Sequence, residues 1–364
     1  MMDLRPKKID WYIFKKFMGT FLASLVLIIG IVIIFDISEK IDDFVEKKAP
    51  LNAIIFDYYL NFIPYFINMY SPMFVFISVI FFTSKMAANT EIIAILSGGV
   101  SFHRMMRPYM AAATLITALS LVLNLFIIPD SNKDMFAFEQ QYIKQKPKKS
   151  ARNIHYQVAP GQFVYAESFS SWNNTAYKFT IEKIENSQLV SKISAETATY
   201  DTVKGSWKLK KYFIREFNDD LTDNLRSGRQ MDTIIPLSVK DFYFSENTVT
   251  TLDYSELNEL IDMQTMRGDA NIKFSLIEKH TRFALPFSAF ILTIIGVALS
   301  SKKRRGGIGW NIALGIALAF AYILFMRFSQ MFVHTDTLSP AVALWMPNVL
   351  FAVIAVVLYR LAPK

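Results

Sequence analysis

The chain has 364 residues, 52% apolar and only 19% charged, with 32 Phe, 16 Met and a mean hydropathy of +0.28. A soluble domain carries about 25% charged residues, so this composition excludes a disordered chain, a collagen, a coiled coil and an ordinary cytosolic enzyme. Cysteine is absent, which removes disulfides, thiolate metal sites and Cys nucleophiles, and the net charge of +8 signals nucleic acid, anionic lipid or membrane topology, according to where the charges sit.

Six stretches lack Asp, Glu, Lys and Arg altogether. They have 19 residues between Lys16 and Asp36, 27 between Asp57 and Lys85, and 22 between Arg107 and Asp130. After a long charged stretch come 19 between Arg282 and Lys302, 21 between Arg305 and Arg327, and 23 between Asp336 and Arg360. About 20 apolar residues in a helix cross a hydrocarbon core, so six transmembrane helices are expected. The first is read as a retained helix, because Phe35-Asp36-Ile37-Ser38-Glu39 follows it where a signal peptide would carry small residues.

Lys and Arg set the expected orientation. One side carries Arg5, Lys7, Lys8, Lys15 and Lys16, then Lys85, Arg104 and Arg107, then Lys302 to Arg305, and finally Arg360 and Lys364. On the other side, the loop Val333 to Pro340 has neither residue, and Lys40, Lys47 and Lys48 are diluted by Asp36, Glu39, Asp42, Asp43 and Glu46. Both termini are expected inside and the long insert outside. Most basic residues are then topology signals, and nucleic acid is not an expected partner.

The insert, from about Ser131 to Thr251, changes from solid apolar to alternating sequence. Gln162–Tyr165, Tyr177–Ile184, Trp207–Phe217 and Asp241–Phe244 read as strands. Pro160-Gly161, Asn173-Asn174, Lys204-Gly205 and Asn218-Asp219-Asp220 read as turns. Roughly eight short strands are expected in a β-sandwich or open β-roll. An amphipathic helix is expected from Asp253, with Glu256 in capping-box spacing and Leu257, Leu260, Ile261 and Met266 on its apolar face.

Catalytic signatures are missing. There is no P-loop, no His-Glu-x-x-His and no Gly-x-Ser-x-Gly, and His103, His155, His280 and His334 are scattered. The spans offer almost no ionisable side chain to an intramembrane hydrolase. A non-enzyme without cofactor or metal is expected. The informative segment is the inside loop from Ala88 to Pro108. Thr90 can cap a short helix opening with Glu91, whose charge suits the helix N-terminus. Ile92, Ile95 and Leu96 would share a face, Gly98-Gly99 would stop the helix, and Ser101 would cap the next. Such a helix is either a docking knob for a soluble partner or a connector lying on the lipid surface.

In three features the sequence resembles the LptF/LptG permeases, membrane subunits of the lipopolysaccharide exporter of Gram-negative bacteria. They are the loop Glu91-Ile-Ile-Ala-Ile-Leu-Ser-Gly-Gly-Val-Ser101, the order of three helices, β-rich insert and three helices, and His280-Thr-Arg-Phe-Ala-Leu-Pro286 entering the fourth span before a Gly- and Arg-rich loop at Lys302 to Trp310. The resemblance covers essentially the whole chain. It departs at Gly98-Gly99, where an aromatic or basic residue can precede the Gly of the motif.

The resemblance implies a polytopic α-helical inner-membrane protein with a jellyroll-like periplasmic domain. The expected division is 1–130 with a coupling loop at 86–108, then 131–253 for the β-domain, and 254–364 for a linker helix and the last three spans. The implied partners are an LptB-type cytoplasmic ATPase, a paralogous LptF/LptG-type subunit, LptC/LptA-type periplasmic proteins and lipopolysaccharide itself. Glu91, with Ile92, Leu96 and Arg104, is the expected ATPase-coupling set. Arg327, Lys40, Lys47 and Lys48 are the expected contacts to lipid phosphate, since the first and fifth helices border the substrate entrance in that family. A permease for another lipid or lipoprotein, and a membrane anchor for a β-domain, are the competing readings.

Overall fold

A computed structural model describes residues 7–362 apart from 144–151, 171, 203, 218–221, 238, 243–245, 270 and 303–306. Arg5, Lys364, Lys303 to Arg305 and the Asn218-Asp219-Asp220 turn therefore lie outside the described residues. The chain divides into two units, one of residues 1–144, 250–254 and 276–364, the other of residues 145–249 and 255–275.

The first unit is helical. Its elements are α1 (Lys8–Glu46), α2 (Leu51–Ala88), the short α3 (Glu91–Ser97) and α4 (Phe102–Tyr142). The amphipathic α5 (Tyr254–Arg267) falls in the other unit, and α6 (Ile272–Ser300), α7 (Gly307–His334) and α8 (Pro340–Leu361) complete the chain. Six of these are long and apolar enough to cross a membrane, as the charge-free runs require. Burial ranks them: 61% of the apolar windows of α2 and α6 is buried, against 17% in α1 and 28% in α7. The two well-buried helices form the centre of the bundle, and α1 and α7 expose most of their apolar surface.

Proline inside a membrane helix frees the carbonyl four residues earlier, and lipid offers it no donor. Two such carbonyls receive a donor from a neighbouring helix. Pro286 in α6 frees the carbonyl of Arg282, and Asn124 Nδ2 of α4 donates to it at 3.3 Å. Pro347 in α8 frees the carbonyl of Ala343, and Ser329 Oγ of α7 donates there. Asn124 lies in a widened turn of α4, Leu123–Ile127, where the backbone bond runs five residues back from Ile128 to Leu123. Its carbonyl oxygen accepts from Asn68 of α2 at 2.7 Å, and Asn68 in turn accepts from Ser120 at 2.5 Å. One buried polar chain thus fastens α2, α4 and α6.

The second unit is a six-stranded antiparallel meander. Its strands are β1 (Arg152–Ala159), β2 (Gln162–Ser170), β3 (Thr175–Glu185), β4 (Gln188–Asp201), β5 (Ser206–Phe217) and β6 (Asp223–Thr233), each paired with its sequence neighbours. Fewer and longer strands form than the eight expected. Val239–Phe242 makes a tight 3-10 turn rather than a strand, and residues 243–244 lie outside the described residues. The turns fall at Pro160-Gly161, Asn173-Asn174 and Lys204-Gly205 as expected. At Gly161 φ is 73°, and a β-carbon there would collide with the carbonyl oxygen of Ile184. The β3–β4 turn was not foreseen: Asn186 and Ser187 both have positive φ, 49° and 64°, the signature of a two-residue type I′ hairpin.

Tyr156, Val164, Phe169, Phe179, Trp207 and Leu209 form the core of this unit with Ile235, Leu237 and Phe242. Trp207 Nε1 donates to the carbonyl of Leu237 at 2.8 Å, fixing the segment that follows β6 on the sheet. The in–out alternation slips by one residue along a line crossing the strands. Buried positions run Ala166 then Phe169, Ala176 then Phe179, and Ala195 then Ala198. At this line Lys178 and Lys211 both have φ of 48°, and they pair with Glu167 at 2.5 Å and Glu196 at 2.6 Å on adjacent strands. A groove of about 790 Å3 follows the line, lined by Tyr165, Thr180, Phe213 and Arg229 among others. In α5, Leu257 and Ile261 are buried as expected, while Met266 is exposed.

Candidate functional site

The loop singled out in the sequence forms α3, one and a half to two turns long. A helix that short does not hold itself together in water, so its surroundings set its position. Thr90 occupies the N-cap position but does not cap. Its backbone is left-handed, with φ at 61°, and its hydroxyl donates to the carbonyl of Asn89 at 2.6 Å. The helix ends at Gly98, followed by Gly99 with φ at 85°, and Ser101 caps α4 by accepting from the amide of Arg104 at 3.3 Å.

Ile92 is buried in the bundle core beside Met105 and Phe102, and Ile95 and Leu96 pack half-buried against it. Ile93, Ala94 and Ser97 are on the exposed side. Ile92 and Leu96 therefore seat the helix, and a partner arriving from outside meets Ile93, Ala94 and Ser97 first.

Glu91 is engaged within the chain. Its carboxylate accepts from Tyr12 Oη at 2.8 Å, from Lys16 Nζ at 3.2 and 3.3 Å, and from Asn89 Nδ2 at 3.4 Å. Burial alone would raise its pKa. The donors from Tyr12, Lys16 and Asn89 outweigh that and hold the carboxyl below its ordinary range. Arg104 makes a forked pair with Asp10 of α1, with nitrogens at 2.7 and 2.5 Å from the two oxygens. Asp10 also accepts from the amide of Lys7 at 2.7 Å, so one carboxylate caps α1 and binds α4. Asp10, Tyr12 and Lys16 were not singled out from the sequence; nothing local to α1 pairs them with residues 75 to 94 positions away.

At the other end of α1 a second cluster gathers. Lys40 pairs with Asp36 at 2.8 Å, approaches Glu139 of α4 at 4.0 Å and donates to Tyr58 Oη, while Tyr59 Oη donates to Asp36 at 3.0 Å. Lys40 thus spends its charge on two carboxylates of its own chain. Lys47 and Lys48, just beyond α1, are exposed. Arg327 in α7 is also exposed. Its guanidinium touches Gln330 at 3.5 Å and the Met69 sulfur at 3.8 Å, and no carboxylate among the described residues lies within ion-pair distance. The four expected phosphate contacts do not form one constellation: Lys40 belongs to an internal ion cluster, and Arg327 stands on an apolar helix surface.

Comparison with known proteins agrees with this architecture. An uncharacterised protein of Aquifex aeolicus (strain VF5) is 20% identical over 304 residues, which is 81% of this chain and 82% of that one. The family described as lipopolysaccharide export system permease LptF/LptG matches residues 11–361, from the turn of α1 that holds Glu91 to the end of α8. With six membrane-length helices and a β-rich insert between the third and fourth, the chain belongs to the LptF/LptG family of lipopolysaccharide export permeases.

Proposed function

We propose that the chain is the membrane subunit of an ATP-driven exporter. It draws lipopolysaccharide from the outer leaflet of the inner membrane and passes it towards a periplasmic bridge. Both termini and α3 face the cytoplasm, and the β unit faces the periplasm. The observation that carries this reading is α3: a short helix seated by Ile92 between two membrane helices, with an exposed outer side. Such a helix suits a cytoplasmic ATPase, which supplies the hydrolysis this chain lacks the motifs to perform. The implied assembly contains the ATPase, a paralogous subunit and periplasmic partners of LptC/LptA type.

Arg327 supports the substrate side of the reading. It lies 19 residues beyond Ile308, roughly 28 Å along the helix, which places a cation at the outer headgroup level. An exposed guanidinium without a carboxylate partner suits a lipid phosphate. A Phe- and Met-rich surface accommodates several acyl chains without matching one shape. The groove across the β unit offers Arg229 to the departing headgroup, Lys178 and Lys211 being paired with Glu167 and Glu196.

Co-expression with the neighbouring subunit and ATPase, followed by purification in mild detergent, tests the assembly. Glu91→Lys is expected to weaken ATPase association or uncouple hydrolysis from transport, since charge-assisted contacts contribute about 1.5–3 kcal/mol. Arg327→Ala is expected to lower photocrosslinking to lipopolysaccharide while basal ATP hydrolysis by the complex persists, with Arg327→Lys retaining more. Unchanged complex yield and transport in Glu91→Lys would overturn the coupling role, and equal crosslinking in Arg327→Ala would overturn the phosphate contact.

A further inference from the structure

We infer that α3 and the first turns of α1 form one mechanical lever, in which Asp10, Tyr12 and Lys16 are positioning residues that carry movement of the docking helix into α1. The inference rests on the permease reading, since it is the ATPase that would move α3.

The geometry that supports it is a double clamp. The loop between α2 and α4 touches α1 at both of its ends. At its start, Glu91 takes Tyr12 and Lys16; at its finish, Arg104 of α4 takes Asp10 in a forked pair. Between the clamps, Ile13 and Phe17 are fully buried, and the Phe17 ring lies 5.6 Å from that of Phe82 and 6.3 Å from that of Tyr109. The Lys16 ammonium also sits 4.3 Å from the centre of the Tyr12 ring. Residues 10 to 16 of α1 are therefore bound to α3 and to the start of α4 by charge and hydrogen bond, while Phe17 packs on Phe82 of α2 and Tyr109 of α4.

The rest of α1 is built differently. Between Leu25 and Phe44 no residue of the helix is buried, and Val26, Ile34 and Phe35 are largely exposed. Polar contacts to other helices reach Ser24, whose hydroxyl lies 3.1 Å from that of Ser78 in α2, and resume at Asp36 and Lys40, about 18 Å further on at 1.5 Å per residue. A rod whose stretch from Val26 to Phe35 holds no buried residue, only half-buried ones such as Ile28, Ile29 and Ile33, can bend there when its first turns move. Movement of α3 is delivered at one end of that rod.

Since the chain has no cysteine, paired labels can be placed without background. Thr90→Cys with Val353→Cys reports on α3, and Val26→Cys with Val353→Cys reports on α1, all at exposed positions. In the assembled complex, ATP and a trapped transition-state mimic are expected to shift both distances together. In Asp10→Asn/Lys16→Gln, ATPase association and the α3 shift should persist, the α1 shift should vanish, and transport per ATP should fall about tenfold. Where that double variant loses folded yield, Lys16→Gln alone makes the same comparison. The charge swap Asp10→Arg/Arg104→Asp should restore the α1 response, which a loss of general stability would not allow. An α1 shift that survives Asp10→Asn/Lys16→Gln overturns the lever. An α3 shift without an α1 shift in the unaltered complex overturns the lever alone, whereas no shift at either position overturns the permease reading and the lever with it.

Discussion

Single side chains decide how the membrane helices of this chain remain intact. The Arg282 carbonyl, freed by Pro286, is satisfied by Asn124, and the Ala343 carbonyl, freed by Pro347, by Ser329. Removing the donor strands a polar group away from water, at a cost of about 1–3 kcal/mol. Asn124→Ala should therefore lower the midpoint of detergent denaturation. The cost should shrink in a Pro286→Ala background, where an amide N–H returns to serve Arg282. A double-mutant cycle reads the difference, and strict additivity would show that the amide is not acting on that carbonyl. Glu91 supports a second residue-level prediction. Its folded-state pKa is depressed, so the link to Lys16 and Tyr12 contributes stability above the unfolded carboxylate pKa, near 4.3. That contribution is lost as pH falls through the lower folded value. Proteolysis at the α3 loop should stay flat from neutral pH to about 5 and rise only in stronger acid.

The elements were legible in the sequence to different degrees. Spans without charge fixed six helices, because lipid tolerates few alternatives. The strands were harder to read, for a physical reason. The segment read from Gln162 stopped at Tyr165, just short of the slip at Glu167-Ser168, and the one read from Tyr177 began at the slip beside Lys178. A strand that changes which parity it buries looks like two short strands, or like a strand with a false end. In the candidate site, Glu91 and Arg104 were visible because the inside loop from Ala88 to Pro108 contains them. Their partners on α1 were not, since ion pairs across 75 or more residues leave no local pattern. The far cluster of α1 was half visible: Asp36 and Lys40 stand four apart on one helix face, but Glu139 and the two tyrosines are distant in sequence. Lys40→Met should consequently lower the thermal stability of the purified protein, because Asp36 and Glu139 are left facing each other. Its effect on lipid crosslinking should be smaller than that of Arg327→Ala. A stable Lys40→Met protein that fails only in crosslinking would return Lys40 to the substrate side.

At the scale of the whole molecule, the meander leaves β1 and β6 each with one side unpaired among the described residues. An edge strand is a template for another chain. Photocrosslinkers along Asp223–Thr233 should label a periplasmic partner of the assembled exporter, and silence along both edges during turnover would leave that docking to other surfaces. The position of this unit within the chain also bears on how the protein is made. Three helices precede it and three follow, so on the proposed topology some 120 residues must cross the membrane between the two halves of the bundle. The first half is equipped to wait. Asn68, Ser120 and Asn124 already satisfy one another across α2 and α4, and the α1 clamps need nothing from α6 to α8 to close, although the core around Phe17 is completed by Ala289 and Val297 of α6. Left over are an amide hydrogen bond of Asn124 and the Thr117 hydroxyl, whose acceptors, the carbonyls of Arg282 and Pro286, arrive with the fourth span. The polar chain that fastens the finished bundle is thus also the latch by which a nascent three-helix half recognises the half still being inserted.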